Sequence, residues 1–176
     1  MFHLKSNDNL LLNSISNVLN QKSSIFHIDD EANSFATISI YSNESALFIE
    51  TANDKKNISK PFSFTKLFEE IDSILTKINI NFNDLSYRPV KQNITYEKKS
   101  LVLGNIHNLI FSALLLHIKS GMNKNDLYEM IWPRDKNYQI NKLDTHLTNL
   151  KNLIDQKLGY HLNFKTIEGK IYLISN

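Results

Sequence analysis

Asn141, Thr145, Thr148, Asn149, Asn152 and Gln156 recur at helical spacing along one short stretch of this chain. At about 100° per residue they share one arc, and Leu143, Leu147, Leu150, Ile154 and Leu158 share the opposite one. Lys142, His146 and Lys151 stand at the flanks. The outward arc consists mostly of neutral donors and acceptors. A helix face that is only solvated usually carries Glu/Lys pairs one turn apart. Asn, Thr and Gln side chains can read base edges, and lysine can contact phosphate. An Asn-rich chain also makes such arcs by composition alone. At this point both readings stand, a plain wet face and a nucleic-acid contact.

Other chemistries find little material. The six histidines, at 3, 27, 107, 117, 146 and 161, include no i,i+4 pair, so a helical two-His metal site is not expected. Zero cysteine excludes disulfides and thiolate zinc sites. Glycine-rich phosphate loops, nucleophile elbows and kinase-type motifs are absent from the sequence. Asp29, Asp30 and Glu31 cluster on an expected turn, which solvation explains. Trp132 reads as a helix-packing residue rather than a stacking platform. No enzyme, metal or cofactor is expected.

Around the polar arc, the second half has a definite rhythm. INFNDLSY, KQNITYEKK and SLVL suit short antiparallel strands. Ile106, Leu109, Ile110, Ala113, Leu116 and Ile118 predict an apolar helix from Asn105 to Lys119, ended near Gly121. Asn123 with Asp126 approximates a capping box for a helix that stops before Pro133. The arc-bearing helix follows over residues 140–158, then two strands around Glu168–Gly169. Strands, three helices and a hairpin make the winged helix-turn-helix order.

The first half reads as a small α/β unit. FHL suits a strand, and Asn7 or Asp8 can cap a helix through Leu11, Ile15, Val18 and Leu19. SSIFHI, FATISIY and SALFIE are strand-like. Ser63 caps FTKLFEEIDSILTKI, whose Phe64, Leu67, Phe68, Ile71, Ile74, Leu75 and Ile78 define one apolar face. The boundary falls at 78/79.

The chain has 176 residues, 41% of them apolar and 22% charged, enough for one domain or two small ones. Residues 1–78 carry 7 Lys+Arg against 10 Asp+Glu, and residues 79–176 carry 13 against 8. The second half is therefore basic by five charges, a pointer to a polyanion. The opening MFHLKSNDNLLLNS lacks the uninterrupted apolar run of a signal peptide, and no stretch reaches the roughly 18 apolar residues of a membrane span. A cytoplasmic location is expected.

Residues 79–176 resemble the C-terminal effector domain of OmpR/PhoB-type response regulators. MNKNDLYEMIW is similar to the family's second-helix segment. LDTHLTNLKNLI resembles its recognition helix, with Leu143, Asp144, His146, Leu147, Leu150 and Lys151 at matching places. FKTIEGKIYLI resembles its wing, matched by Thr166, Gly169 and Tyr172. LFIETANDKK and SKPFSFTKLFEEI look like the end of a receiver domain, with Thr51 at the switch-Thr place and Lys60–Pro61 at the Lys-Pro pair. A full receiver is about forty residues longer. FATISIYSNES has no Asp where the phosphoacceptor belongs, and the acidic pair is reduced to Ser6-Asn7-Asp8. Phosphoryl acceptance needs a carboxylate nucleophile and acidic Mg²⁺ ligands, so no phosphorylation is expected.

The resemblance implies an α/β plus α+β protein: a truncated, degenerate receiver-like domain over 1–78 and a winged helix-turn-helix over 79–176. It implies a phosphorylation-independent, sequence-specific transcriptional regulator, with helix 140–158 in the major groove and wing 162–175 near the minor groove. Asn141, Lys142, Thr145, His146, Thr148, Asn149 and Lys151 would face double-stranded DNA, and Lys165, Thr166 and Lys170 would add wing or backbone contacts. Implied partners are a second copy, bound through the first domain, and RNA polymerase. Three departures matter. Asn149 and Lys151 replace the family's helix arginines, Glu168 replaces its wing arginine, and Ile171 its second wing glycine. Asn pairs with adenine rather than guanine, which favours an A·T-rich target. The alternative is a docking module whose DNA contacts have decayed.

Overall fold

The structure, a computed structural model, describes residues 1–22, 26–27, 34–135 and 139–175. The Asp29–Glu31 cluster lies outside them, as does part of SSIFHI. The chain divides into two compact units, Met1–Ile78 and Asn79–Asn176.

The first unit contains β1 (Phe2–Ser6), α1 (Asn9–Lys22), β2 (Phe26–His27), β3 (Ala36–Ser42), β4 (Ala46–Glu50), β5 (Lys55–Ser59) and α2 (Phe64–Leu75). Its sheet runs β2-β1-β3-β4-β5. The strands around β1 are parallel, and β3, β4 and β5 form an antiparallel meander. Alternation buries Phe2, Leu4, Ile38, Ile40, Leu47, Ile49 and Ile58, which share one core with Leu12, Ile15 and Leu19 of α1 and Leu67, Ile71, Ile74 and Leu75 of α2.

Local chemistry sets the helix starts. The Asp8 carboxylate accepts from the Leu10 and Leu11 amides, and the Ser63 hydroxyl accepts from the Lys66 amide. Two expectations change. The α-helix of α2 ends at Leu75, because the Lys77 and Ile78 amides turn to carbonyls three residues back. Phe64 is 56% exposed and stacks on half-buried Phe68 instead of entering the core. Between Thr51 and Lys60 the chain forms strand β5. The Thr51 hydroxyl accepts from the Asp54 amide and closes that tight turn. The Lys60–Pro61 bond is cis, and Lys60 Nζ donates to the Asn43 carbonyl at 2.6 Å.

The second unit opens with a four-stranded antiparallel sheet in sequential order: β6 (Ile80–Phe82), β7 (Leu85–Arg88), β8 (Asn93–Tyr96) and β9 (Lys99–Val102). INFNDLSY is thus a hairpin, not one strand. Asn83, at φ 50°, supplies its left-handed turn residue. Then come α3 (Asn105–Leu116), β10 (Met122–Asn123), α4 (Lys124–Ile131), α5 (Ile140–Leu158), β11 (Leu162–Ile167) and β12 (Lys170–Ser175). The last strands form a sheet in the order β10-β12-β11. Short β10 was not foreseen.

Helix α5 packs on α3, α4, β9 and β11. Leu143, Leu147, Leu150, Ile154 and Leu158 are all buried there, as the heptad-like spacing requires. Gly159, at φ 74°, ends the helix. Lys99 Nζ donates to the Leu158 carbonyl beside it at 3.1 Å. Beneath the four-stranded sheet lies one buried polar knot. Tyr87 Oη donates to Asn108 Oδ1 at 2.6 Å and lies 2.6 Å from the Ser112 hydroxyl. Asn108 Nδ2 donates to the Pro89 carbonyl, so the knot ties β7 and its following turn to α3.

Candidate nucleic-acid interface

The buried leucine row of α5 turns the opposite arc outward. Asn141, Thr145, Thr148, Asn149 and Lys151 are exposed, and so are Asn152 and Gln156. The Thr145 hydroxyl donates to the Asn141 carbonyl one turn back, which fixes its rotamer and leaves its lone pairs outward. Over 19 residues the helix is about 28 Å long, so two or three of its turns suffice to fill a major groove about 12 Å wide.

Lys142 and His146 are placed differently from the other residues singled out on α5. Lys142 Nζ donates to Asp135 Oδ2 at 3.0 Å and sits 4.2 Å from the centre of the Trp132 ring. The Tyr128 hydroxyl donates to the same Asp135 oxygen at 2.8 Å. These contacts fasten the turn after α4 to the start of α5. His146 packs its ring against Trp132, centroids 5.4 Å apart, and against His107 of α3, 5.6 Å apart. Burial lowers the His146 pKa below its ordinary value, and the Lys142 charge adds to that. Trp132 is therefore the half-buried hub where α4 meets α5, and the histidine flank of the helix faces inward.

The β11–β12 hairpin projects Lys165, Thr166, Ile167, Glu168, Gly169 and Lys170, all exposed. Ile167 pairs with Lys170, leaving a two-residue turn in which Glu168 has φ 51° and Gly169 φ 76°. Two consecutive positive φ values are the requirement of a type I′ turn, which prefers Asn or Asp before Gly. Glu168 meets it under strain and places a carboxylate at the tip. Lys124 is a cation that the sequence reading passed over. It is bound to Asp144 at 2.6 Å and so is committed within the unit. Arg134 also escaped notice and is exposed in the turn after α4. Only the fold shows that this turn is clamped to α5 through Asp135. Among the described residues, no group of three or more His, Asp or Glu is arranged to hold a metal. No helix among them is long and apolar enough to cross a membrane.

No protein-family model and no curated protein matches the sequence. Solved structures it is similar to include a response regulator's C-terminal domain, a DNA-binding domain and a redox sensor. The C-terminal domain of the nisin resistance regulator NsrR, a lantibiotic response regulator, is 26% identical over 53% of this chain and 94% of that one, with a TM-score of 0.42. The DNA-binding domain of Escherichia coli CadC is 12% identical over 57% of this chain and 95% of its own, with a TM-score of 0.48. A redox sensor of the streptococci, from a family evolved from two-component response regulators, is 14% identical over 99% of this chain and 79% of that chain, with a TM-score of 0.47.

Proposed function

We propose that this chain is a sequence-specific, DNA-binding transcriptional regulator that works without phosphorylation. The observation that carries the reading is the exposed row of uncharged hydrogen-bonding side chains on α5, opposite its buried leucines. In this reading residues 79–176 are a winged helix-turn-helix domain, with α5 in the major groove and the β11–β12 hairpin near the minor groove. Thr145, Thr148 and Asn149 meet base edges. Asn141, Lys151, Lys165, Thr166 and Lys170 meet backbone or wing-side groups. Lys142 and His146 belong to the interface as positioning residues, since their contacts within the unit orient the helix. Asn149 favours adenine, hence an A·T-rich duplex.

The first unit, residues 1–78, acts in this reading as a degenerate receiver-like domain that pairs two copies of the chain in the cytoplasm. RNA polymerase is the further partner that the family resemblance implies. β3 carries no aspartate, which supports independence from phosphorylation.

A gel shift with A·T-rich duplexes at two salt concentrations tests the proposal. Binding that weakens steeply with salt, as counterion release demands, supports it. A second reading, a protein-docking module, is favoured by the Glu168 carboxylate at the hairpin tip, which would repel a narrow minor groove. Absence of any duplex binding at low salt selects that reading.

A further inference from the structure

We infer that His107 and His146 form an acid-sensitive latch that holds α3, α4 and α5 together only while both rings are neutral. The two imidazoles come from different helices and meet at 72°, centroids 5.6 Å apart. Trp132 at the end of α4 closes the group from the third side. His107 Nε2 and His146 Nδ1 are both buried with no hydrogen-bond partner. A neutral imidazole tolerates one unpaired acceptor nitrogen. An imidazolium has two N–H donors, and here one of them would point where no acceptor exists.

The surrounding charges do not relieve that cost. Lys142, on the same helix as His146, is a cation facing it. Asp135, in the turn after α4, has its Oδ2 shared already by Lys142 and the Tyr128 hydroxyl, and Glu129 of α4 is exposed to solvent. Arg134 in that turn is a further cation, exposed to solvent. Asp144 projects about 200° around α5 from His146 and is bound to Lys124 of α4. A charge on His146 also disfavours one on His107. Burial lowers the pKa of both rings from the ordinary 6.5.

The sign follows from proton binding. Folded-state pKa values below 6.5 mean that the unfolded chain binds more protons in that range. The latch is fully closed above the ordinary value and loses its stabilising effect as pH falls from there through the lower folded-state value. The consequence for DNA, that acid disorders the placement of α5, rests on the proposed function; the latch itself does not.

Trp132 is the single tryptophan of the chain, so it reports on its neighbour. A protonated imidazole in contact with an indole quenches its fluorescence. The experiment titrates tryptophan emission of the full chain from about pH 8 to about pH 4.5, and measures urea midpoints at both sides of the histidine range. The expected result is quenching with a midpoint below 6.5, lost in H146Q and moved upward in H107Q. The urea midpoint of the parent falls on acidification, and that of the doubly substituted H107Q/H146Q chain falls less. A quenching midpoint at or above 6.5, quenching that survives in H146Q, or an equal urea shift in the double variant would overturn the latch. These readouts need no DNA. Failure of duplex binding at neutral pH therefore counts against the proposed function and leaves the latch to be judged on its own.

Discussion

The backbone of Gly121 lies against the face of Tyr172. A Cβ built at Gly121 would stand 2.6 Å from the ring, and the backbone φ there is +65°. Both the left-handed conformation and the close approach require glycine. This contact sets the turn between α3 and β10 against β12. Gly121→Ala is expected to destabilise the second unit by about 2 kcal/mol or more, combining backbone strain with displacement of a rigid ring. A urea midpoint unchanged from the parent would contradict the packing at this turn.

Asn149 and Lys151 should fail in different ways. On the proposed function, Asn149→Ala removes a base-edge contact. It should cost about 1–3 kcal/mol on the preferred duplex and flatten discrimination among sequences. On the same reading, Lys151→Ala removes a phosphate contact. It should weaken all duplexes alike and reduce the salt slope by about one. Fluorescence anisotropy on matched and scrambled duplexes separates the two patterns. Identical behaviour of both variants and the parent would remove this face of α5 from the interface.

Glu168 offers a gain-of-function test. Its φ of 51° suits asparagine better than glutamate, and its carboxylate opposes a polyanion. Glu168→Asn should raise thermal stability slightly and tighten duplex binding severalfold. Tighter hairpin packing without any change in DNA affinity would mean that the hairpin tip stands clear of the duplex.

Tyr87→Phe probes the buried polar knot. The substitution keeps the ring packed at 90° on Phe111, centroids 4.9 Å apart, and removes only the hydroxyl. Asn108 Oδ1 and the Ser112 hydroxyl then lose a partner at essentially zero solvent exposure. The expected loss is about 1–3 kcal/mol, read from chemical denaturation. Tyr87→Phe with Ser112→Ala should lose less than the sum of the two single changes, because the pair is coupled.

Much of this architecture was legible because periodicity and capping are local signals. The leucine spacing gave the buried row of α5, Ser63 marked the start of α2, and Glu168–Gly169 marked the hairpin turn. What escaped were features settled by distant partners. β5 has the polar sequence KKNIS and becomes a strand only because β4 lies beside it. Asn83 hides a turn inside INFNDLSY. The polar arc of α5 was readable as a face, but the inward turn of its flank was not. His146 and His107 are far apart in sequence, and Lys142 looked like a free cation until Asp135 and Trp132 were placed beside it.

Lys99 gives α5 a fixed end. Its ammonium caps the Leu158 carbonyl from the β8–β9 hairpin, so the helix is anchored at its C-terminus, while Asn141, Thr145, Thr148 and Asn149 lie toward its other end. That other end is tied as well, through Lys142 to Asp135, so the helix is held at both ends. Its outer residues are thus spaced along a rod braced at each end by groups that lie off that face.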